Sequence, residues 1–380
     1  MAGIYLHIPF CRTACHYCNF HFSTQLNSRQ EMVEAMMDEM MLRSNFFDST
    51  VVNTVYFGGG TPSLLLEDEL DLLITSIQTH FLIDSNAEIT LEANPEDLTE
   101  ENFSVWKNAG INRLSIGVQS FRDKDLKWMN RQHSVEQSID GISLAKSFGI
   151  KNISVDLIYG LPSLSNEDWL KEIEQVIALD VPHISAYMLT VEEGTALHHF
   201  IARGKTSPGN DEDAALQYSM LMNKLRDAGF RHYEISNFAK PGFESQHNSS
   251  YWFGNSYLGI GPSAHSYNGE KRSWNFSNNP KYIRAIKEGN LFFEEELLSD
   301  CQRYNEHVMI SLRTDEGTNL ELIEEMFGKQ AREQFESSAQ KYLTKNRMRQ
   351  NGAQFFLTDE GKLFADAIAS ELFMTESKTG

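Results

Sequence analysis

Cys11, Cys15 and Cys18 are three of the chain's four cysteines, and they fall within eight residues in the spacing Cys-x3-Cys-x2-Cys. Three thiolates on so short a loop can close around one compact inorganic centre. A [4Fe–4S] cube normally takes four cysteines, so three would leave one iron open to another ligand. The competing chemistry is a zinc site of Cys3His type, completed by His16 or His21. Zinc cysteines usually come as two close couples separated by a spacer, and that pattern is missing here. Cys301 lies far down the chain in a helical stretch, where a lone cysteine behaves as a small buried hydrophobe.

A second group of polar residues recurs at the ends of β-rich runs. Gly58-Gly59-Gly60-Thr61-Pro62, Glu92, Gln119 and Asp156 each stand at or just past the carboxyl end of a different run. The runs are 4–9, 52–57, 87–92, 112–118, 152–158 and 183–189, with helical periodicity between them. Such alternation predicts an α/β fold with a parallel sheet, open or curled into a barrel, whose ligands bind at the carboxyl edge of the strands. Taken alone, the glycine run is equally well a tight turn before a helix beginning at Pro62. The coincidence on successive strands is what favours a shared pocket. A methionine stripe in 30–43 reads as a core-facing helix surface, and 203–213 as a polar exposed loop. Beyond residue 301 come helices near 304–312, 319–327 and 331–344, a strand pair across 347–357 and a closing helix from Asp359. Helices followed by a hairpin suggest a winged-helix-like module. The expected division is therefore a core at 1–236, a connecting segment at 237–300 and a helical module at 301–380.

Bulk properties narrow the partners. Net charge is −20, with 53 acidic against 33 basic residues and no basic run, which argues against nucleic acid as a main partner. The opening MAGIYLHIPF lacks the make-up of a secretory signal, and no apolar run is long enough to cross a bilayer. Clustered cysteines without a disulfide framework then point to metal in a reducing compartment, so the expected location is the cytoplasm.

The segment HIPFCRTACHYCNF resembles the cluster loop of radical S-adenosylmethionine (SAM) proteins, and the chain as a whole resembles the oxygen-independent coproporphyrinogen III oxidase family. The resemblance implies a partial (β/α)6 radical SAM barrel. It implies that Cys11, Cys15 and Cys18 hold a [4Fe–4S] cluster whose open iron takes SAM, with an electron donor reducing the cluster. It also implies that Tyr17 packs near the adenine, that Tyr5 lies on the substrate or SAM side, and that Gly59, Gly60 and Thr61 bond the methionine end through their backbone. Glu92, Gln119, Arg131 and Asp156 match further SAM-contacting positions of the family. A side chain at Gly60 is expected to fill the space where backbone meets methionine while leaving the cluster intact.

Two departures separate this chain from the oxidases of that family. Asn19 follows Cys18, where the oxidases place a further cysteine two positions on, and they carry an extension ahead of a first strand that here begins at residue 4. The hexapeptide His247-Asn248-Ser249-Ser250-Tyr251-Trp252 instead resembles the HNxxYW signature of the family's haem-chaperone branch. That branch implies haem binding, with His247 as the candidate axial ligand, and delivery of haem to an acceptor protein. The rival reading is oxidative decarboxylation of coproporphyrinogen III. A third, of another class, is a zinc-stabilised binding module without catalysis. Oligomeric state stays open, a homodimer being compatible with the sequence.

Overall fold

A computed structural model describes residues 2–375. Six parallel strands form its spine: β1 (Ala2–Ile8), β2 (Val52–Gly59), β3 (Ile83–Ala93), β4 (Arg113–Gln119), β5 (Asn152–Tyr159) and β6 (His183–Met188). They lie side by side in chain order, each pair joined through helical connections, as the alternation of runs predicts. The pleat explains why these runs look half polar. Ile4, Leu6 and Ile8, then Val55 and Phe57, Leu91 and Ala93, and Val155 and Leu157 are buried apolar residues at alternate positions. The residues between them, among them Tyr5, His7, Tyr56, Glu92, Ser154 and Asp156, project to the other face and furnish a polar interior.

β1 and β6 are not partners, so the barrel is incomplete, and the sheet is extended at both of its flanks. Six further strands do this: β7 (Arg231–Glu234), β8 (Asn237–Ala239), β9 (Ser256–Ile260), β10 (His265–Tyr267), β11 (Lys271–Asn275) and β12 (Phe293–Leu297). β9 runs parallel to β1 with β10, β11 and β12 beyond it, whereas β8 and β7 lie antiparallel outside β6, giving one sheet of 12 strands. The expected boundary at 236 thus falls inside the β7–β8 hairpin, and residues 237–300 are less a connector than part of the sheet. Their strands are only three to five residues long, and β12 reads Phe-Glu-Glu-Glu-Leu, so period-two hydrophobicity did not mark them.

Helix Arg29–Leu42 places Met32, Val33, Met36 and Met40 in the core, with Met41 facing outward at 53% exposure. Its methionine stripe is packing. Glu39 on the same helix is buried, accepting hydrogen bonds from Tyr282 (2.6 Å), Asn275 (2.9 Å) and the Gly261 amide (2.9 Å), which ties the helix to the β9–β11 extension. The loop read at 203–213 ends sooner than expected. Asn210 caps helix Asp211–Asp227, and Asp211, Glu212 and Asp213 are its first turn, where acidic side chains suit the helix dipole.

The carboxyl-terminal module has its own core, with Tyr304, Val308, Ile323, Phe335, Phe355 and Ile368 at its centre. Helices Asp300–Leu312, Leu320–Phe327 and Lys329–Thr344 pack with a small sheet of β13 (Thr318–Asn319), β14 (Met348–Asn351) and β15 (Gln354–Leu357). Helices and a hairpin match the make-up expected of a winged-helix-like module. The end of the expected 301–380 span, 376–380, lies outside the described residues.

Candidate functional site

The cysteine loop leaves the end of β1 and is closed by backbone bonds between Cys11 N and Ser23 O (3.0 Å) and between Ser23 N and Pro9 O (2.9 Å). The glycine turn after β2 is stitched to the same strand end: Gly60 N donates to Ile8 O (2.8 Å) and Thr61 N to Phe10 O (2.7 Å). These bonds bring two sulfurs within reach of donors. Thr61 Oγ1 lies 3.3 Å from Cys11 Sγ, and Arg131 Nη1 lies 3.6 Å from Cys15 Sγ. Burial pushes the Cys11 thiol up to about 11 and raises Cys18, so both are protonated at neutral pH until a metal displaces the proton.

The donor set fits a thiolate cluster better than a zinc ion. The histidines that could complete a zinc site are engaged elsewhere. His16 Nδ1 bonds Trp128 O at 2.6 Å with its ring edge-on to Phe200, and His21 Nε2 bonds Asn279 Oδ1 at 2.6 Å.

Over the loop opens a cavity of about 390 Å³, lined by Cys11, Cys15, Cys18, Tyr17, Gly59, Gly60, Thr61, Glu92, Gln119, Arg131 and Asp156. Eleven residues singled out from sequence for the cluster and SAM thus share one pocket, on the side of the sheet where the parallel strands end. Inside it Glu92 accepts from Tyr56 OH (2.8 Å) and from Gly59 N (3.2 Å), and Asp156 accepts from Ser115 Oγ (3.2 Å). Burial pushes Glu92 up to about 7 and Asp156 up to about 6; the nearby Arg113 opposes both shifts. Two carboxyls poised near neutrality suit hydroxyls or an ammonium of a ligand. Arg131 is anchored by Asn94 Oδ1 (2.8 Å) and Gly117 O (2.6 Å), while its buried Nε has no hydrogen-bond partner. An orphan donor beside a cavity is what a ligand carboxylate would satisfy. Gln119 holds φ at +70°, an uncommon conformation that turns the chain at the end of β4 into this pocket.

Of the two places expected for Tyr5 the SAM pocket is excluded, and two other residues depart from theirs. Tyr5 does not line this pocket; it faces a second, larger cavity, bonding His7 Nδ1 through its hydroxyl at 3.1 Å. A Cβ on Gly60 would meet Phe10 O (2.6 Å), Ile8 O (2.7 Å) and Phe10 N (2.8 Å), so the missing side chain makes room for β1 rather than for SAM. His247 lines neither cavity. It is buried on short helix Gln246–Trp252, with Nδ1 2.8 Å from Thr54 Oγ1, Nε2 2.7 Å from Tyr251 OH, and its ring stacked on Tyr56. With both nitrogens bonded and burial holding its pKa down to about 3, it braces the motif helix instead of presenting an axial ligand. Tyr251 and Trp252 of the same motif do face the larger cavity.

Sequence reasoning missed Tyr56, Asn94 and Ser115. Tyr56 was findable, since it alternates with Thr54 and Gly58 on the face opposite Phe57. Asn94 and Ser115 carry no signal short of knowing which strands adjoin.

A family model for the radical SAM superfamily matches residues 5–176, and one for the HemN C-terminal domain matches 298–364. A Mycobacterium tuberculosis protein named heme chaperone HemW is 35% identical over 97% of this chain and 94% of its own length. A Bacillus subtilis protein of the same name is 33% identical, over 97% of this chain and 98% of its own. The chain belongs to the HemW family of radical SAM proteins. Coproporphyrinogen III oxidase (HemN) of Escherichia coli matches the fold with a TM-score of 0.82 at 22% identity, over 98% of this chain and 90% of that one. The partial barrel and helical carboxyl-terminal domain are accordingly those of the HemW and HemN fold. Membership of the HemW family, within the radical SAM superfamily, implies a [4Fe–4S] cluster and SAM, and the thiol loop with its adjoining pocket fits both.

Proposed function

We propose that this protein is a haem chaperone: it binds haem, carries a [4Fe–4S] cluster ligated by SAM, and hands haem to an acceptor protein. The observation that carries the reading is similarity over almost the full length to proteins named heme chaperone HemW, against 22% identity to the oxidase. Asn19 supports it, standing in the cysteine loop where no further thiol is offered.

In this reading Cys11, Cys15 and Cys18 hold the cluster, with Thr61 and Arg131 donating to two of the sulfurs. When bound, the cluster supplies one-electron chemistry at an iron open to SAM, fed by an electron donor. Tyr17 flanks the adenine, Gly59 and Thr61 offer backbone to the methionine end, Arg131 takes its carboxylate, and Glu92, Gln119 and Asp156 take amine and ribose. No helix among the described residues is long and apolar enough to cross a membrane, which supports a cytoplasmic carrier over a membrane-bound one. The test is an optical titration of anaerobically reconstituted protein with haem. Saturation near one haem per chain, roughly what a single site gives, with the cluster spectrum retained, is the expected result. Unsaturable uptake would overturn the reading.

A further inference from the structure

The larger cavity has about 1190 Å³ and lies between the β9–β11 extension, the HNSSYW helix and the helix Asp300–Leu312 of the carboxyl-terminal module. Ligand pockets usually run roughly 300–1,000 Å³, so there is ample room for a large flat molecule. Its walls are aromatic: Phe20, Tyr251, Trp252, Tyr257 and Tyr267 all border it. Asn19 and Phe20, next to Cys18, border this cavity and the cysteine pocket alike, so the two meet at that dipeptide.

Four histidines line the cavity, and two are already used. His7 bonds Tyr5 OH and His21 O, and His21 is held by Asn279. His265 on β10 is exposed, touches Trp274 only through its ring, and has no hydrogen bond to any described residue. His307 lies on helix Asp300–Leu312 of the carboxyl-terminal module, and its Nε2 is buried without a partner. Partial desolvation, joined for His265 by the nearby Arg272 charge, holds both imidazoles below their usual value, so both keep a free lone pair at neutral pH. Two buried donors in the same lining also lack partners, Trp252 Nε1 and Arg272 Nε. Glu306 already holds Arg272 through Nη1 (2.7 Å) and Nη2 (2.9 Å), so Trp252 Nε1 is the donor left to suit a carboxylate such as a porphyrin carries.

We propose that this cavity is the porphyrin site, and that His265 of β10 and His307 of helix Asp300–Leu312 coordinate the haem iron in place of His247. The proposal rests on the haem-chaperone reading and adds to it the location and the ligands. A macrocycle held there would lie against the aromatic walls, beside the cysteine pocket and against the carboxyl-terminal module.

The test uses the full-length reconstituted protein and haem itself, read by absorption and electron paramagnetic resonance. The wild type should bind haem as a low-spin species with two imidazole ligands. His265→Ala and His307→Ala should each give a high-spin species, and the double variant should lose imidazole ligation and at least tenfold in affinity. His247→Phe should keep the low-spin spectrum. Met309→Trp, which fills the cavity from a partly exposed position, should weaken binding without touching either ligand. Iron–sulfur content and circular dichroism report that each variant is folded. A double variant with the wild-type spectrum, a high-spin wild type, or low-spin ligation lost only in His247→Phe would overturn the site while leaving the chaperone reading standing. Failure of the wild type to bind haem would overturn both.

Discussion

Changing Gly60 to alanine should damage the cluster loop, not merely the SAM pocket. A Cβ there would stand 2.6 Å from Phe10 O, 2.7 Å from Ile8 O and 2.8 Å from Phe10 N. All three are backbone atoms, so no rotamer change relieves the contact, and the glycine turn must retreat from the end of β1 by several tenths of an ångström. Overpacking of this kind costs about 1–3 kcal/mol. The retreat also stretches the bonds from Gly60 N to Ile8 O and from Thr61 N to Phe10 O, each worth about 1 kcal/mol. The sum is about 3–5 kcal/mol, concentrated where Thr61 meets Cys11. Gly149→Ala is the control: it has φ of +85° but no atom within 4 Å of the added carbon, so only the conformational cost of about 1 kcal/mol applies. Urea denaturation of both variants, with iron counted per chain, decides the matter. Gly60→Ala should unfold at clearly lower urea than Gly149→Ala and lose iron. Wild-type stability and full iron content, with only the SAM response lost, would refute the reasoning and put the side chain in the pocket.

Cys11→Ala, Cys15→Ala and Cys18→Ala should each remove most of the about four irons a single cube brings, whereas Cys301→Ala, whose thiol bonds only Met374 O and the Asn305 amide, should leave iron content unchanged by chemical assay. Glu92→Gln should stabilise the metal-free protein at pH 8 by up to about 3 kcal/mol, because the folded carboxyl is pushed from 4.5 to about 7 and each unit is worth about 1.4 kcal/mol. The sign follows from burial: the unfolded carboxyl ionises first as pH rises, so folding loses stability between about 4.5 and 7, and the variant's advantage should vanish near pH 4.5. Denaturation midpoints across that range check it; an advantage constant with pH would contradict it. His247→Ala should lower the melting temperature, since it strips partners from Thr54 and Tyr251 in a buried setting, at about 1–3 kcal/mol per stranded group; an unchanged melt would show that the ring does not brace the helix.

Much of the site was legible because its chemistry is local. The cysteines are eight residues from first to last, and Glu92, Gln119 and Asp156 lie in or at the end of three successive strands, so they could be placed together before their contacts were known. What the sequence hid depends on pairing between distant segments. The glycine at 60 looks permissive in sequence, but its space is claimed by Phe10 and Ile8 across the sheet. His247 looks like a ligand within its hexapeptide, yet Thr54 of β2 and Tyr251 one turn on take both nitrogens. Residues 237–300 look like a connector because β8 to β12 are only three to five residues each, and their pairing with β1 and β6 has no sequence signature.

Carrier and oxidase share the fold, so turnover separates them most directly. Reconstituted, reduced protein is incubated anaerobically with SAM and coproporphyrinogen III, and an aliquot of the same preparation is titrated with haem. Conversion requires the propionates to be held against SAM in near-attack geometry, whereas carriage requires only capture and release. The account predicts saturable haem binding and no protoporphyrinogen by mass spectrometry. Protoporphyrinogen formed over many turnovers by a preparation that does not retain haem would contradict it.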